Sequence, residues 1–505
     1  MPERHYARAV ARTLFGLVFI AVLAVGVGLA AHWPHRTPPT PIATVATPAP
    51  TGGAARIEWL TQLQLATLEE GLAQDLSVAQ QAPGHHLIDL RTAAIGFSMW
   101  GPLADLSQAS LSALGEHAWL RQGLIFALPM VRWMSAPFLF PVDPSPEDGR
   151  PAAAFEPVLK LIAAKAAVGR GVSLDNVGDA SASPAQSAAY RDYYANLFRA
   201  YGASGATLPL HVSLKLSALV HDLPAALQGP ENPKRAEILA ALRYLLAVAH
   251  DTCPAGFFMR IDMEEYAYKD LTLGLFLELV TDTPELTRDG RGGLHLGIVT
   301  QAYLRDSAHD LAALADWGRA QGVRVPVRLV KGAYEVYEKD LAAATGRKSP
   351  VWDYKASTDA NYEALGEFLL RHSDAFDPAF ATHNLRTQAR VMAVADALGR
   401  PATEVEFQML YGMGDPIKGV LIKLGYRLRE YVPAGPLYRG LTYAGRRFHE
   451  LANPDNALAR SLQGDFSVLS EQPHFEGATD SADGAFTRVL LGPDDKSGPG
   501  GAGTQ

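Results

Sequence analysis

The sequence is poor in cysteine and carries only a modest excess of negative charge. Cys253 is the one cysteine among 505 residues, which excludes an intrachain disulfide and a cysteine-rich metal or iron–sulfur site. The formal net charge of −8 gives no support for nucleic-acid binding. No G-x-G-x-x-G fingerprint follows the first predicted strand, so a Rossmann nucleotide site is not indicated. We expect neither a metal nor a nucleic-acid partner.

Apolar residues make up 48% of the chain, enough to bury a large core. Apolar, β-branched runs recur along it, most of them separated by segments of helix length, which predicts βαβ units and a parallel sheet. Eight such units over roughly 270 residues are typical of a (β/α)8 barrel. The predicted strands are 171–177, 208–216, 256–263, 294–301, 323–332, 376–384, 405–412 and 429–434.

These runs end in residues that are too polar for a core. Polar residues at the C-terminal ends of barrel strands are typical of an active site. The same habit in successive strands predicts that these side chains meet at one mouth of the barrel. They are Asp175, Asn176, Lys215, Ser217, Asp262, Gln301, Arg328, Lys331, His383, Asn384, Gln408 and Tyr431.

Two adjacent arginines follow the last predicted strand. Tyr443, Arg446, Arg447 and Glu450 lie within one arc of a predicted helix, and Glu450 is placed to pair with Arg446 one turn earlier. The guanidinium pair suits a carboxylate or phosphate ligand. A solvated basic patch is the alternative, and the position beside the barrel mouth favours an anion clamp.

Seven segments in order resemble motifs of the proline dehydrogenase family, which includes the first catalytic domain of bifunctional proline utilization proteins. The resemblance covers about residues 155–455. It implies a monofunctional, FAD-dependent enzyme that oxidises L-proline to 1-pyrroline-5-carboxylate and passes the electrons to membrane quinone. The segments are Ser213-Leu-Lys215-Leu-Ser217-Ala-Leu219, Arg260-Ile-Asp262-Met-Glu264-Glu265, Gln301-Ala-Tyr303, Arg328-Leu-Val-Lys331-Gly332-Ala333-Tyr334, Phe380-Ala-Thr382-His383-Asn384, Glu406-Phe-Gln408-Met-Leu410-Tyr-Gly412-Met-Gly414, and Tyr431-Val-Pro433-Ala-Gly435.

The resemblance implies a proline site with Arg446 and Arg447 on the carboxylate. Asp262 is then the anionic partner of the arginines or of the substrate amine. Lys215 adds positive charge, although a lysine snorkelling from a strand end is the alternative. The implied catalytic residues are Lys215, Asp262, Tyr431, Arg446 and Arg447, and the implied substrate contacts add Ala333, Leu410 and Tyr443.

The same resemblance implies FAD across the barrel mouth. A cation such as Arg328 near the flavin stabilises the anionic reduced ring, and Gly332 permits close backbone approach to phosphate. His383 is open to a purely structural interpretation. The implied contacts are Gln301, Arg328, Lys331, Gly332, Ala333, Lys355, Thr358, His383, Asn384, Gln408 and Glu450.

Two positions depart from the pattern of the bifunctional relatives. Glu335 stands where many of them have an aromatic residue against the cofactor. Trp352-Asp353-Tyr354 stands where they carry Thr-Arg before Lys355. These changes put the adenosine side of FAD binding in question, and either Trp352 or Tyr354 is a candidate to replace the missing stacking.

The N-terminus predicts a membrane location. Arg4, Arg8 and Arg12 precede eighteen uncharged residues, 14–31, a length that spans a bilayer. Residues 1–33 are therefore expected to be a single-pass inner-membrane anchor, with a cleaved signal peptide as the alternative. The positive-inside rule places the arginines in the cytoplasm, whereas relatives load FAD in the cytosol or matrix, and both orientations stay open.

The remaining boundaries follow composition. Residues 34–54 form a proline-rich linker, 55–154 a helical region, 155–455 the barrel, and 456–505 an extension whose end is expected to be disordered. Residues 123–141 favour a buried helix and turn over an interfacial hairpin.

Two alternative functions stay open: a dehydrogenase for a related imino acid such as hydroxyproline, and a non-catalytic, membrane-tethered binding protein on the same barrel.

Overall fold

The structure is a computed structural model that describes residues 50, 53–80, 138–142, 154–177, 180–435, 443, 447 and 472–490. The predicted anchor and the linker up to residue 49 lie outside these residues. Residues 123–137 of the segment predicted over 123–141, Arg446 and Glu450 also lie outside them. None of the helices in the described part of the chain combines the length and apolarity that a bilayer crossing requires.

A closed parallel barrel of eight strands, β2 to β9, forms the centre of the molecule. Each strand pairs with its neighbour in chain order, and β9 closes the barrel by pairing with both β8 and β2. This confirms the predicted (β/α)8 barrel. The strands are β1 Phe140–Pro141, β2 Arg170–Asn176, β3 Leu210–Leu214, β4 Phe257–Ile261, β5 Leu296–Gln301, β6 Val325–Val330, β7 Phe376–Ala381, β8 Glu406–Leu410 and β9 Arg427–Gly435.

Helices surround the strands. Local sequence fixes several of their starts: the Ser183 hydroxyl and the Asn232 side chain each accept a hydrogen bond from the first turn of the helix that follows, and proline occupies the first helical position. The α-helices are α1 Gly53–Gln80, α2 Glu156–Ala167, α3 Pro184–Ala203, α4 Leu216–Leu219, α5 Pro233–Thr252, α6 Lys269–Asp282, α7 Pro284–Thr287, α8 Ser307–Gln321, α9 Glu335–Thr345, α10 Lys355–Arg371, α11 Leu385–Ala397, α12 Asp415–Lys423, α13 Gly477–Asp483 and α14 Ala485–Leu490.

Strand alternation separates the apolar shell from the barrel interior. In β6, Val325, Val327 and Leu329 are fully buried on one face, while Arg328 points the other way and reaches β3, β4 and β8 across the barrel. The apolar face packs against the helices and the polar face is left to build a site.

The long helix α1 covers one side of the barrel. Leu65, Leu68 and Leu72 recur at helical spacing and are buried. Glu58 at its start pairs with Arg386 of α11 at 2.9 Å, and Asp75 near its end pairs with Lys423 of α12 at 2.5 Å. Nearly all of this helix lies within the helical region predicted over residues 55–154.

The short strand β1 was not predicted. Phe140 and Pro141 lie parallel to the end of β9, opposite Ala434 and Gly435, and the neighbouring Phe138, Leu139 and Val142 are buried. The expectation of a helix and turn over 123–141 is therefore wrong at its C-terminal end, because the free edge of β9 beyond β8 offers this segment backbone partners.

Candidate active site

Arg328 of β6 is the centre of the polar cluster inside the barrel mouth. Its Nε donates to Gln408 Oε1 at 2.6 Å, its Nη1 donates to Asp262 Oδ1 at 2.7 Å, and its Nη2 donates to Ser213 Oγ at 2.9 Å. The side chain is only 5% exposed. Because three of its nitrogen atoms donate to three different partners, this buried guanidinium is held in a single orientation.

Asp262, the first residue after β4, carries the opposite charge of this cluster. Its second oxygen, Oδ2, accepts a hydrogen bond from the Tyr431 hydroxyl at 3.0 Å. Burial raises the pKa of Asp262 above its usual range, although the charge of Arg328 opposes the shift. Burial, with the nearby Asp175 and Asp262 charges, also raises the pKa of Tyr431, so its phenol stays a proton donor.

Lys215 follows β3 and pairs with Asp175 of β2. The Nζ–Oδ2 distance is 3.0 Å, and Asp175 is fully buried. Burial alone would lower the pKa of Lys215, but the Asp175 charge outweighs it and the net pKa is raised. Lys215 is therefore a fixed cation, and the pair with Asp175 goes against the alternative of a lysine that snorkels to solvent.

A second layer of charged side chains lies deeper in the barrel than Arg328 and contacts it through Gln408. Glu406 of β8 accepts hydrogen bonds from Arg429 Nε at 3.0 Å and from Gln408 Nε2 at 2.7 Å. Arg260 donates to the carbonyl oxygens of Ile298 and Pro326 at 3.0 and 3.1 Å. Burial, followed by the charge of Arg328, lowers the pKa of Arg260 to about 9. Gln408 thus joins the two layers.

His383 lies at the end of β7 in its neutral form. Its Nε2 accepts a hydrogen bond from the Leu410 N–H at 3.0 Å, so the imidazole proton must sit on Nδ1. Burial, with the charges of Lys418 and Arg447, lowers the pKa of His383 to about 3. The neighbouring Asn384 caps α11, because its Oδ1 accepts from the Thr387 N–H at 3.1 Å.

A pair of lysines faces Asp359 at the start of α10. Lys331 Nζ is hydrogen-bonded to one Asp359 oxygen, and Lys355 Nζ lies 2.8 Å from the other. The two lysines leave this cluster with one net positive charge. Gly332 sits between the cluster and the barrel with φ +130°, and a Cβ there would lie 2.3 Å from the Tyr303 ring. No other residue fits this close approach.

Three of the predicted FAD contacts bury a polar atom that has no partner among the described residues: Gln301 Oε1, Thr358 Oγ1 and His383 Nδ1. The Gln301 amide is otherwise fixed, since its Nε2 donates to the Glu264 carbonyl at 3.2 Å. Buried polar groups are rarely left unsatisfied in folded proteins. The unpaired groups are an acceptor, a hydroxyl and a donor, and the cations Lys331 and Lys355 lie at the same mouth. This combination fits a large polar cofactor with phosphates.

The predicted clamp is described only in part. Tyr443 and Arg447 are both helical, and the Arg447 guanidinium lies 5.1 Å from the centre of the Tyr443 ring. The effect of Arg447 on the pKa of His383 places its charge near the β7 end of the mouth. Arg446 and Glu450 lie outside the described residues. Leu410 ends β8 and Ala333 follows β6 at the same mouth, with Leu410 partly buried and Ala333 exposed.

A family model described as proline dehydrogenase matches residues 158–460. The chain belongs to the proline dehydrogenase family. It is 32% identical over 288 residues to the proline dehydrogenase of Deinococcus radiodurans, a match that covers 56% of this chain and 78% of that one. It is 31% identical over 289 residues to the bifunctional protein PutA of Klebsiella aerogenes, covering 55% of this chain and 21% of that one.

A solved structure agrees with the family assignment. Proline utilization A of Bdellovibrio bacteriovorus, inactivated by N-propargylglycine, superposes with a TM-score of 0.64 at 26% identity. The superposition covers 82% of this chain and 45% of that one. The chain thus spans about a fifth of the bifunctional PutA relative from Klebsiella aerogenes and under half of this solved structure.

Two details of the proline dehydrogenase site were not predicted from the sequence. Asp262 pairs with Arg328, a partner that the sequence did not indicate. Trp352 is fully buried and its Nε1 donates to the Ala302 carbonyl at 3.0 Å, so it is not available to stack on a ligand. Tyr354 is 44% exposed and remains the candidate for that role.

Some residues of the proline dehydrogenase site were not predicted to belong to it. Asp175 was predicted only as a polar strand end, and Ser173, Glu406 and Arg429 were not among the predicted site residues. Their signal was the period-two alternation that aligns them with Asp175 and Gln408 on the inward face. Asp359 has the helical spacing to Lys355 that marks an ion pair, and that spacing could have found it.

Proposed function

We propose that this protein oxidises L-proline to 1-pyrroline-5-carboxylate with FAD as the hydride acceptor and membrane quinone as the final oxidant. The observation that carries the proposal is the Asp262–Arg328–Gln408 cluster at the mouth of a proline dehydrogenase barrel. It holds two opposite charges rigidly beside buried polar atoms that wait for a ligand.

The substrate is a small zwitterion, and the mouth offers charges of both signs. Arg447, together with the neighbouring Arg446, is assigned to the substrate carboxylate as a bidentate clamp. The carboxylates of Asp262 and Asp175 attract the positively charged ring nitrogen of the substrate. Their ion pairs with Arg328 and Lys215 reduce the net negative charge of the mouth. Tyr431 donates to Asp262 and keeps that carboxylate turned inward.

Oxidation removes a hydride from the ring carbon beside nitrogen and a proton from the amine. When bound, FAD supplies the hydride acceptor, which no side chain can provide. The protein's contribution is orientation and exclusion of water. Precise positioning of this kind is worth roughly 7–11 kcal/mol of barrier in intramolecular model reactions.

The residues assigned to FAD divide into two groups. Gln301, Arg328, His383 and Gln408 lie in the barrel mouth and suit the polar edge of the flavin ring. Lys331 and Lys355 carry the positive charge at the start of α10, and the phosphates are the part of FAD that such a site attracts. The Thr358 hydroxyl lies in the same turn, and it has no hydrogen-bond partner in the part of the chain that the structure describes.

A visible spectrum tests the proposal. The purified protein is expected to be yellow and to bleach on anaerobic addition of L-proline, with the colour restored by a quinone. A colourless protein that FAD cannot reconstitute would refute it. Bleaching by hydroxyproline but not by proline would assign the related imino acid as substrate, and a yellow protein that neither reduces would favour the non-catalytic alternative.

A further inference from the structure

The segment at residues 472–490 lies across the start of α10, beside the lysine pair at Asp359. It comprises α13, α14 and the five residues before them. We name residues 472–490 the clip. Neither the barrel pattern nor the assigned cofactor contacts include it, yet it buries charged and aromatic side chains against the loop that precedes α10.

Asp480 is the principal contact of the clip. Its side chain is fully buried, and it accepts hydrogen bonds from the backbone N–H groups of Asp353 and Tyr354 at 3.0 and 3.2 Å. Arg305 Nη1 lies 2.7 Å from the same carboxylate. Burial would raise the pKa of Asp480, but the hydrogen bonds from Ser357 and from the two amides outweigh it and lower the pKa. The group is a permanent anion that fixes the backbone just before α10.

Aromatic and hydroxyl contacts extend this attachment. The Phe475 ring lies 5.0 Å from the ring of Trp352, and the Glu476 N–H donates to Ser357 Oγ at 2.9 Å. The Thr487 hydroxyl donates to Asn361 Oδ1 at 3.0 Å. The clip is thus bound both to the loop and to the first two turns of α10.

The clip also touches Tyr354, the exposed aromatic residue beside Lys355. Gly477 has φ +73°, and a Cβ built on it would lie 2.8 Å from a carbon of the Tyr354 ring. The clip backbone therefore packs directly against this ring. Lys355 and Thr358 follow within one turn, so their positions depend on how the clip holds the loop.

We propose that the clip sets the affinity for the nucleotide half of FAD, with Asp480 as the positioning residue. This rests on the proposed function, which assigns the phosphates to Lys331 and Lys355. Asp480 holds the Asp353–Tyr354 amides, which places the Tyr354 ring and the first turn of α10 against the cofactor. Arg305 contacts Asp480, Asp353 and Asp483 at 2.7, 2.9 and 2.6 Å, and Lys348 contacts Asp483 at 2.8 Å. Two cations therefore offset most of the charge of these three carboxylates.

Titration of the flavin-free full chain with two flavins tests this proposal. FAD has the nucleotide half and riboflavin 5′-phosphate lacks it. Asp480→Asn is expected to weaken FAD binding about tenfold, as loss of a charge-assisted hydrogen bond does, while riboflavin 5′-phosphate binding changes by less than about twofold. Asp483→Asn is the matched control, because it removes the same charge from α13 without touching the two amides, and it should leave both affinities unchanged.

Gly477→Ala gives a second, independent variant. The added methyl group collides with the Tyr354 ring, so the preference for FAD over riboflavin 5′-phosphate should fall as in Asp480→Asn. Equal loss of both flavins would overturn the proposal, because it would mean that the clip only stabilises the barrel. Unchanged FAD affinity in both variants would overturn it as well. A wild-type chain that binds neither flavin would refute the proposed function itself, and the role of the clip with it.

Discussion

Arg328 donates hydrogen bonds to Ser213 of β3, to Gln408 of β8 and to Asp262 directly after β4, and this predicts a large effect of its removal. Arg328→Met leaves the Asp262 carboxylate buried beside Tyr431 with no cation in contact among the described residues. Breaking a buried ion pair on one side costs about 3–5 kcal/mol of stability. Urea unfolding should show a loss of that size, together with a loss of proline-dependent flavin reduction.

The surface pair Arg319–Asp374 provides the control for this variant. Its Nε–Oδ2 distance is also 2.7 Å, but Arg319 is 41% exposed. Arg319→Met should therefore cost at most about 1 kcal/mol and leave activity unchanged. Equal stability losses in the two variants would show that the barrel mouth is hydrated enough to screen Asp262.

Arg447 carries the described half of the clamp. Arg447→Met removes one charged hydrogen bond to the substrate carboxylate, a contact worth about 1.5–3 kcal/mol, so kcat/KM for proline should fall roughly ten- to a hundred-fold. The FAD content should stay near that of the wild type. Arg427→Met, at the opposite end of β9 and 45% exposed, is the control. Wild-type kinetics in Arg447→Met would place the arginine on a solvated face.

The neutral state of His383 predicts a pH dependence of stability. Its folded pKa of about 3 lies below the ordinary value of 6.5, so the unfolded chain takes up a proton that the folded chain refuses. Stability is lost as the pH falls from 6.5 toward 3. Between pH 7 and 5 the wild type should lose about 1–2 kcal/mol more than His383→Gln, measured by urea unfolding. Parallel curves for the two proteins would contradict the buried, uncharged histidine.

Sequence reasoning located the strand-end side chains but not their partners. Lys215, Asp262 and Arg328 were identifiable because each ends an apolar run. That Arg328 meets Asp262, and Lys215 meets Asp175, depends on the tilt and stagger of the barrel strands, which no local pattern encodes. Distances across the barrel therefore had to come from the structure.

The loop from β6 to α9 is built around the contact between Gly332 and the Tyr303 ring. Gly332→Ala places a methyl group into that ring at a φ of +130°, so the loop must move and Lys331 with it. FAD affinity should drop at least about tenfold, as expected where an L side chain meets an incompatible backbone and a clash. Fluorescence titration of the flavin-free protein measures it.

Gly399→Ala is the matched control for the glycine prediction. Gly399 also has a positive φ, +67°, but a Cβ there meets no atom within 4 Å. Only the backbone strain remains, about 1 kcal/mol, and flavin binding should be unaffected. A similar affinity loss in both variants would assign the effect to general destabilisation.

Some secondary structure elements of this protein could be predicted from their local sequence and others could not. The strand in 323–332 was found as β6 because Val325, Val327 and Leu329 form a buried apolar run. β1 is two residues long and includes a proline, so propensity does not single it out. The clip was not foreseen because its main anchor, Asp480, is a charged residue that gains its role only from the distant amides of Asp353 and Tyr354.

The membrane segment predicted at residues 1–33 lies outside the described chain, and we propose it as a retained anchor that holds the enzyme near quinone. Deleting residues 1–52 leaves α1 intact, since this helix starts at Gly53. The truncated protein should be released from membranes and still reduce a soluble dye with proline. Its rate with membrane-embedded quinone should fall several-fold. An N-terminus near residue 30 in the mass of the native protein would instead indicate a cleaved signal peptide.

The charged interior of the barrel constrains how this sequence can drift. Glu406 is shared between Arg429 and Gln408, and Gln408 is shared with Arg328, so each side chain is the partner of another. Replacing one member leaves a buried charge without its partner, which destabilises the fold. Replacing several members together by apolar residues of similar volume can leave the stability unchanged. Substitutions among these charged residues should therefore be tolerated only when several change together. The leucines and valines of the outer shell, in contrast, can be exchanged one at a time.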